Sequence, residues 1–203
     1  YAGQPETCGF VIYSSSAKSG VFTKSNCTDG GIGGTVTYSV PAGVYTSTIS
    51  QADADQKAQA DVDANGPIYA DTNAACTWYN QTKSGNFQRS NCGSNGVGGT
   101  VTYTIPANTY SSIVSLAAAN QLAVNALNAG GPTYANTNAS CTWYNQAQSA
   151  NFQRTNCGGN SVGGTVTFSV SENTYTSTVS LAAANQLAID DVNANGPSYA
   201  NLH

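Results

Sequence analysis

The sequence repeats itself at a regular interval. A Tyr-Ala dipeptide marks this period at residues 69, 134 and 199, and the chain itself opens with Tyr1-Ala2. The first copy is longer than the others because it carries three additional residues between Cys8 and Cys27. Self-similarity at this length predicts an array of small units that stabilise one another through their neighbours. The predicted units are 1–68, 69–133 and 134–198, and residues 199–203 open a fourth copy that stops after "YANLH".

Each copy begins with short segments that favour β-strands. In the second copy, "CTWYNQTKSGNFQRSNC" at 76–92 has strand-forming arms on both sides of a turn at 83–85. The segment "TVTYTI" at 100–105 alternates polar and apolar residues, which is the period of a half-buried strand, and "TYSSIVS" at 109–115 is a fourth short strand. The prediction is an α+β fold: a tandem array of small modules, each a four-stranded antiparallel β-meander with one C-terminal helix packed on it.

The helix of each copy is predicted to begin after a serine and to end at a Gly-Pro pair. Ser50, Ser115 and Ser180 are typical N-caps, because their hydroxyls can accept hydrogen bonds from free backbone N–H groups. Gly favours the left-handed cap and Pro blocks continuation, so the ends are expected at 66–67, 131–132 and 196–197. The apolar face predicted for the second helix consists of Leu116, Ala119, Leu122, Ala123, Ala126 and Leu127.

Six cysteines recur with the copies and indicate an oxidising compartment. Zinc is the competing interpretation, but the chain has no Cys-x-x-Cys pair and its one histidine is His203. In the predicted hairpin, residue 84 lies midway between Cys76 and Cys92, inside the turn, so the two cysteines would face each other across the strands. The same register gives the predicted disulfides Cys8–Cys27, Cys76–Cys92 and Cys141–Cys157, one inside each copy. A domain as small as one copy is marginal alone, so such bridges would stabilise every copy.

The composition favours a structural role over catalysis or nucleic-acid binding. Only 8% of the residues are charged, the formal net charge is −4, and no basic run is present. No stretch has the roughly 20 apolar residues of a membrane span. Because no histidine lies inside a copy, serine and cysteine triads are excluded, and we expect no enzyme, cofactor or metal. Asp53, Asp55, Asp61 and Asp63 cluster in the first helix only; a solvated helix face explains them, with a weak calcium site as the alternative.

Aromatic residues provide the candidate interaction sites. Adjacent strand residues point to opposite faces, so one member of Trp78-Tyr79 and of Trp143-Tyr144 is expected in the core and the other exposed. Exposed aromatic rings could stack on sugars; a buried Trp is the alternative. Phe10-Val11 is the predicted counterpart in the first copy. Tyr69, Tyr134 and Tyr199 follow the Gly-Pro pairs and are predicted to wedge the junctions between copies, giving a semi-rigid, elongated chain.

Three stretches resemble an uncharacterised tandem-repeat family of large secreted and cell-surface proteins of Bacteroidota. They are "YANTNASCTWYN", "NFQRTNCGGNSVGGTVTFSV" and "YTSTVSLAAANQLAIDDVNANGPSYAN". The resemblance implies a secreted or cell-surface array, a spacer or adhesin stalk whose partners are neighbouring repeats, and it supplies no catalytic residues. The alternative function is a carbohydrate- or ligand-binding module whose exposed aromatics contact surface glycans or another cell-surface protein.

Overall fold

The computed structural model describes residues 9–203, and in them three successive sets of short strands each end in one long helix. The first set comprises β1 (Tyr13–Ser14), β2 (Lys18–Thr23), β3 (Ile32–Gly33), β4 (Thr35–Val40), β5 (Thr46–Ser47) and α1 (Gln51–Asn73). The second comprises β6 (Cys76–Tyr79), β7 (Lys83–Gln88), β8 (Gly96–Gly98), β9 (Thr100–Ile105), β10 (Ser111–Ser112) and α2 (Leu116–Asn138). The third comprises β11 (Cys141–Tyr144), β12 (Gln148–Gln153), β13 (Thr165–Val170), β14 (Thr176–Ser177) and α3 (Leu181–Leu202).

The described chain divides into two compact units. The first runs to Thr82 and includes Pro106–Ala123; the second contains Lys83–Ile105 and Val124–His203. The first unit therefore holds the first set with β6, β10 and the first turns of α2, and the second unit holds the third set with β7, β8, β9 and the remainder of α2. The predicted copy boundaries at 68/69 and 133/134 lie inside α1 and α2.

The longest strands of each set pair as an antiparallel hairpin, β2 with β4, β7 with β9 and β12 with β13. In the second set, Lys83 lies opposite Ile105 and Gln88 opposite Thr100. Half-buried and exposed residues alternate along these strands, because one face packs on the helix. The hairpin predicted between Cys76 and Cys92 is wrong, since β7 pairs with β9 and not with β6.

A separate small sheet connects consecutive sets. Strand β6 lies between β10 of its own set and β3 of the preceding set, and β11 lies in the same way between β14 and β8. The register places Cys76 opposite Gly33 and Trp78 opposite Ser112. The four-stranded meander is therefore not confirmed: a module of mixed α+β structure divides its strands between a hairpin and a sheet that it shares with its neighbour.

The helices begin where the sequence predicts and end later. The Ser50, Ser115 and Ser180 hydroxyls each accept a backbone N–H three residues on, at 3.1 Å. Each helix then continues through its Gly-Pro pair, so the predicted ends are wrong. Pro67 lies on the exposed side of α1, where water can bond to the carbonyl of Asp63 that has lost its helical donor.

The glycine of each pair is a packing residue rather than a cap. Gly66, Gly131 and Gly196 are buried, and a β-carbon on any of them would overlap the ring of Phe22, Phe87 or Phe152 on the hairpin beneath. Alanines, the glycine and one larger aliphatic residue occupy the same face at every fourth position, so the helix can approach the hairpin closely. The buried rows are Ala54, Ala58, Val62, Gly66 and Ala70 in α1; Ala119, Ala123, Leu127, Gly131 and Ala135 in α2; Ala184, Ala188, Val192, Gly196 and Ala200 in α3.

The predicted apolar face of α2 is only partly confirmed. Ala119, Ala123 and Leu127 are buried, whereas Leu116 and Ala126 are half-buried and Leu122 is 44% exposed. The buried side chains are four positions apart. Leu122 lies three positions after Ala119 and therefore falls at the edge of this face.

We expect Gly131→Ala to destabilise the protein by about 1–3 kcal/mol, because the methyl group would collide with the Phe87 ring. This loss would outweigh the roughly 1 kcal/mol by which Ala is the better helix former. Denaturant unfolding of the two proteins measures the difference.

The matched control is Gly130→Asn, which introduces the residue that stands at the equivalent positions 65 and 195. Its β-carbon would meet the outer edge of the Tyr103 ring, which can move aside, so the change should be tolerated. Equal stability of Gly131→Ala and the parent would contradict the packing role.

Candidate functional site

The cysteines join positions on the two sides of each helix. Cys27 is bonded to Cys76 with their Cα atoms 5.8 Å apart, and Cys92 is bonded to Cys141 with Cα atoms 5.5 Å apart. The predicted pairs Cys76–Cys92 and Cys141–Cys157 are therefore wrong. The physical reason is the strand pairing: β6 contacts β3 and β10, so Cys76 lies beside the loop after β2 instead of the end of β7. Cys157 carries a free thiol. Cys8 lies outside the described residues, but its predicted partner Cys27 is bonded to Cys76.

Each bridge closes a long segment of chain. The bonded cysteines are separated by 49 residues, and each closed segment includes three strands and the whole helix. In the chain-entropy model, a loop of this length stabilises the folded state by about 4 kcal/mol, somewhat more than the short hairpin loop first predicted. We call the bridge together with the shared small sheet around it the junction.

Basic side chains hold the C-terminal end of the helix at the junction. Arg89 Nη1 donates to the carbonyl of Ala139 at 2.7 Å, and its Nε donates to Asn91 Oδ1 at 2.7 Å. Lys24 Nζ donates to the carbonyl of Asp71 in the same way. A cation is favourable there because the last carbonyls of a helix lack partners and carry partial negative charge. The sequence analysis did not single out Arg89 or Lys24, and it missed this role.

Two polar residues on each helix accept backbone N–H groups from neighbouring loops. At the beginning of the helix, Asp55 accepts from Ser16 at 2.7 Å, and Asn120 accepts from Gln81 at 2.8 Å. At its end, Asp71 and Asn136 accept from the residues that follow Lys24 and Arg89. Asn185 and Asn201 repeat both contacts in the third set. The aspartates of the first helix thus have structural partners, which the neutral asparagines replace elsewhere.

The hydrogen bonds lower the pKa of the first-helix carboxyls. The Ser16 hydroxyl and then its backbone N–H lower the pKa of Asp55, and the Ser25 backbone N–H does the same for the pKa of Asp71. The Asn65 amide and the Tyr45 hydroxyl lower the pKa of Asp61. Because a carboxylate accepts these hydrogen bonds more strongly than a protonated carboxyl group does, the bonds stabilise the ionised form.

The predicted aromatic pairs are divided between the junction and the surface. The indole Nε1 of Trp78 donates to the carbonyl of Thr28 at 2.8 Å, and a β-carbon on Gly31 would lie 2.6 Å from the same nitrogen. Trp143 packs in a similar way on Gly96, so the glycine-rich loops make room for the next tryptophan. Tyr79 and Tyr144 are 41% and 38% exposed.

The counterpart of the tryptophans in the first set is Tyr13. It pairs with Ser47 in the register that Trp78 has with Ser112. The predicted counterpart Phe10-Val11 is therefore wrong; both residues are exposed.

The three predicted wedge tyrosines do not lie between copies. Tyr69 is a residue of α1, and its ring centroid is 5.4 Å from that of Tyr38 on the hairpin under the same helix. Tyr134 contacts Tyr103 at 5.0 Å, and Tyr199 contacts Phe168 at 5.3 Å and stacks on His203. The junction role is wrong because each helix continues past its Gly-Pro pair and keeps the tyrosine on its own hairpin.

A family of unknown function, DUF5977, matches residues 13–77, 78–142 and 143–203. The chain belongs to this family. Its repeats begin at the paired strand β1, β6 or β11, so both bridges lie inside one repeat each: Cys27–Cys76 in the first and Cys92–Cys141 in the second. Neither a curated protein nor a solved structure is significantly similar to the chain.

Two further properties concern the described residues alone. Between residues 9 and 203, no group of three or more His, Cys, Asp or Glu side chains has a geometry that could hold a metal ion. No helix in that range is long and apolar enough to cross a membrane.

We expect peptide mapping without reduction to recover Cys27–Cys76 and Cys92–Cys141. Replacing Cys92 and Cys141 together with serine should lower the free energy of unfolding of the second unit by up to about 4 kcal/mol, because the unfolded chain regains its loop entropy. Cys157→Ser is the matched control and should leave stability unchanged, since that thiol is free. A Cys76–Cys92 peptide, or equal effects of the double variant and the control, would contradict the assignment.

A second prediction concerns acid. The lowered pKa values of Asp55 and Asp71 mean that their contribution is complete above the unfolded value of 3.8 and is lost as pH falls through the lower folded values. The first set should therefore lose amide-exchange protection in acid before the second, whose equivalent acceptors are Asn120 and Asn136. Asp55→Asn with Asp71→Asn should reduce this difference to the part contributed by Asp53 and Asp61, and Asn120→Asp should introduce acid sensitivity in the second set. If both sets of the unmodified protein lose amide-exchange protection at the same pH, the prediction is wrong.

Proposed function

We propose that this chain is an extracellular structural segment, a spacer or stalk of a larger secreted or cell-surface protein of the adhesin type from Bacteroidota, with neighbouring repeats as its main partners. The observation that carries the proposal is the course of the disulfides. Each bridge connects the loop after the first hairpin strand of a repeat to the first residue of the strand that follows its helix. Disulfides of this kind persist in oxidising compartments, which supports a location outside the cell.

The bridges change how the chain would respond to a pulling force. Tension that arrives at Cys27 passes through the sulfur atoms to Cys76, so the segment between them carries none of it. The exposed path then runs along the stretch "TWYNQTKSGNFQRSNC" at 77–92 and crosses to Cys141. Helices α1 and α2 are thereby protected, and only β6 and β7 remain under tension between the two bridges.

The strands on this exposed path are held by neighbours. Strand β6 is paired on both sides, by β3 and β10, and β7 is paired along its whole length with β9. A spacer needs this combination, because it must transmit force between a distant tip and its anchor without unfolding its modules. The scarcity of charged residues is compatible with such a passive role. Catalysis is no part of the proposal.

Single-molecule pulling on the chain, tethered at both ends, tests the proposal. Each intact bridge should hide 49 residues, or about 170 Å of extended chain, so that reduction adds about 340 Å for the two bridges. Cys92→Ser should halve the gain, and Cys157→Ser should leave it unchanged.

A gain of about 55 Å per bridge would instead indicate the short Cys76–Cys92 type of loop. Alkylation of the protein as isolated from its source provides the second arm. Protected cysteines at both bridges support an extracellular location, and freely alkylated ones would contradict it.

A further inference from the structure

A polar groove lies beside the second junction, entirely within the second unit. It has a volume of about 460 Å³ and is lined by residues of β8 and its preceding loop, of the end of β11, and of the turn after β13. This size lies in the usual range of small-ligand sites. We call it the Tyr144 groove; its residues are Asn95, Gly96, Val97, Tyr144, Asn145, Gln146, Glu172 and Asn173.

The floor of the groove is fixed by a buried asparagine. Asn145 is 2% exposed, and its Nδ2 donates to the carbonyls of Gln146 at 2.8 Å and Ser171 at 2.9 Å. Its Oδ1 accepts the backbone N–H of Tyr175 at 2.7 Å. Because Asn145 is buried and both of its amide donors are used, it holds the 171–173 turn against β11 instead of contacting a ligand. The groove is therefore preorganised.

Three side chains at the groove are without partners. Within residues 9–203, no hydrogen bond or ion pair engages the side chain of Asn95, Glu172 or Asn173. Two of the three stand on left-handed backbone, Asn95 with φ 58° and Asn173 with φ 61°, a conformation that Asn tolerates better than most residues. Two amides and a carboxylate thus converge on one depression with their hydrogen-bonding capacity unused.

The first junction has the same register without the same chemistry. Tyr79 and Asn80 stand where the groove has Tyr144 and Asn145, and Asn80 makes the same buried contacts. However, Gly30 replaces Asn95, and Ala107 replaces Glu172. The two junctions share one scaffold, and the second differs from the first by the side chains of Asn95 and Glu172. The first junction folds without them, so the scaffold does not require these two groups.

The chemistry of the groove fits a neutral sugar. Tyr144 and Val97, 38% and 51% exposed, offer an aromatic and an aliphatic surface for the C–H face of a pyranose ring. Amide and carboxylate groups match neighbouring hydroxyls, which donate and accept at once. The uncompensated Glu172 carboxylate repels sialic acids, uronates, sulfates and phosphates. We propose that the Tyr144 groove binds a neutral saccharide, a role independent of the spacer function.

Amide-resonance titration of the whole chain tests the proposal, with the methyl glycosides of glucose, galactose, mannose and N-acetylglucosamine as probes and sialyllactose as the acidic comparison. At least one neutral glycoside should shift resonances at 95–97, 144–146 and 172–173, with a millimolar dissociation constant typical of a small ligand on an open site. Sialyllactose should bind more weakly. Shifts for none of the neutral glycosides, shifts confined to other residues, or tighter binding of sialyllactose would each overturn the proposal.

Variants taken from the first junction make the test specific. Glu172→Ala and Asn95→Gly copy residues that the same scaffold already accepts, and each should weaken binding about tenfold, which corresponds to one lost charged or bidentate contact. Tyr144→Ala should abolish it, while Tyr79→Ala, the matched control, should leave it unchanged. Glu172→Gln should keep the neutral glycoside and reduce the discrimination against sialyllactose. Equal losses from Tyr79→Ala and Tyr144→Ala, or unchanged binding in Glu172→Ala, would refute the assignment.

Discussion

A phenylalanine ring on a hairpin packs against a glycine in the second half of each helix, and the other contacts of the repeat depend on that one. The helix can lie against Phe22, Phe87 or Phe152 only where a residue has no side chain. Because this glycine packs instead of capping, the helix continues for almost two further turns and carries the chain to Cys76 or Cys141. The bridges, the basic groups at the helix end and the shared small sheet all follow from that length.

The shared sheet makes consecutive repeats interdependent within each unit. A strand such as β6 has partners from two repeats, so a boundary drawn on either side of it leaves one repeat with an unpaired edge. The bridge fixes the same place covalently. Stability in such an array is expected to come from pairs of neighbours more than from single repeats, as in other linear repeat proteins. The proposed function as a spacer uses this property, since a junction of paired strands and a disulfide resists separation better than a flexible linker.

The repeats also show which positions the fold leaves open. The acceptor that holds the loop at the beginning of the helix is Asp55 in one repeat and Asn120 or Asn185 in the others, so either a carboxylate or an amide oxygen can make this contact. Likewise, the scaffold around Asn80 and Asn145 is constant, whereas Gly30 and Ala107 give way to Asn95 and Glu172. A constant frame with variable polar positions is the arrangement in which a structural repeat can acquire a binding site without loss of stability.

The sequence by itself determined the local features of this protein. The period, the serine N-caps and the alternation in "TVTYTI" are read correctly because each depends on a few adjacent residues. Only the tertiary structure decided the partners. Gly66-Pro67 has the local signature of a helix end, and the Phe22 ring, which belongs to a strand far earlier in the chain, overrides it. Cys76 and Cys92 are symmetric about a turn in the sequence. Because β6 pairs with β3 and β10 and not with β7, the two cysteines do not lie opposite each other. Strand partners and bridge partners depend on contacts between segments that are distant in sequence, and no local pattern encodes the choice between them.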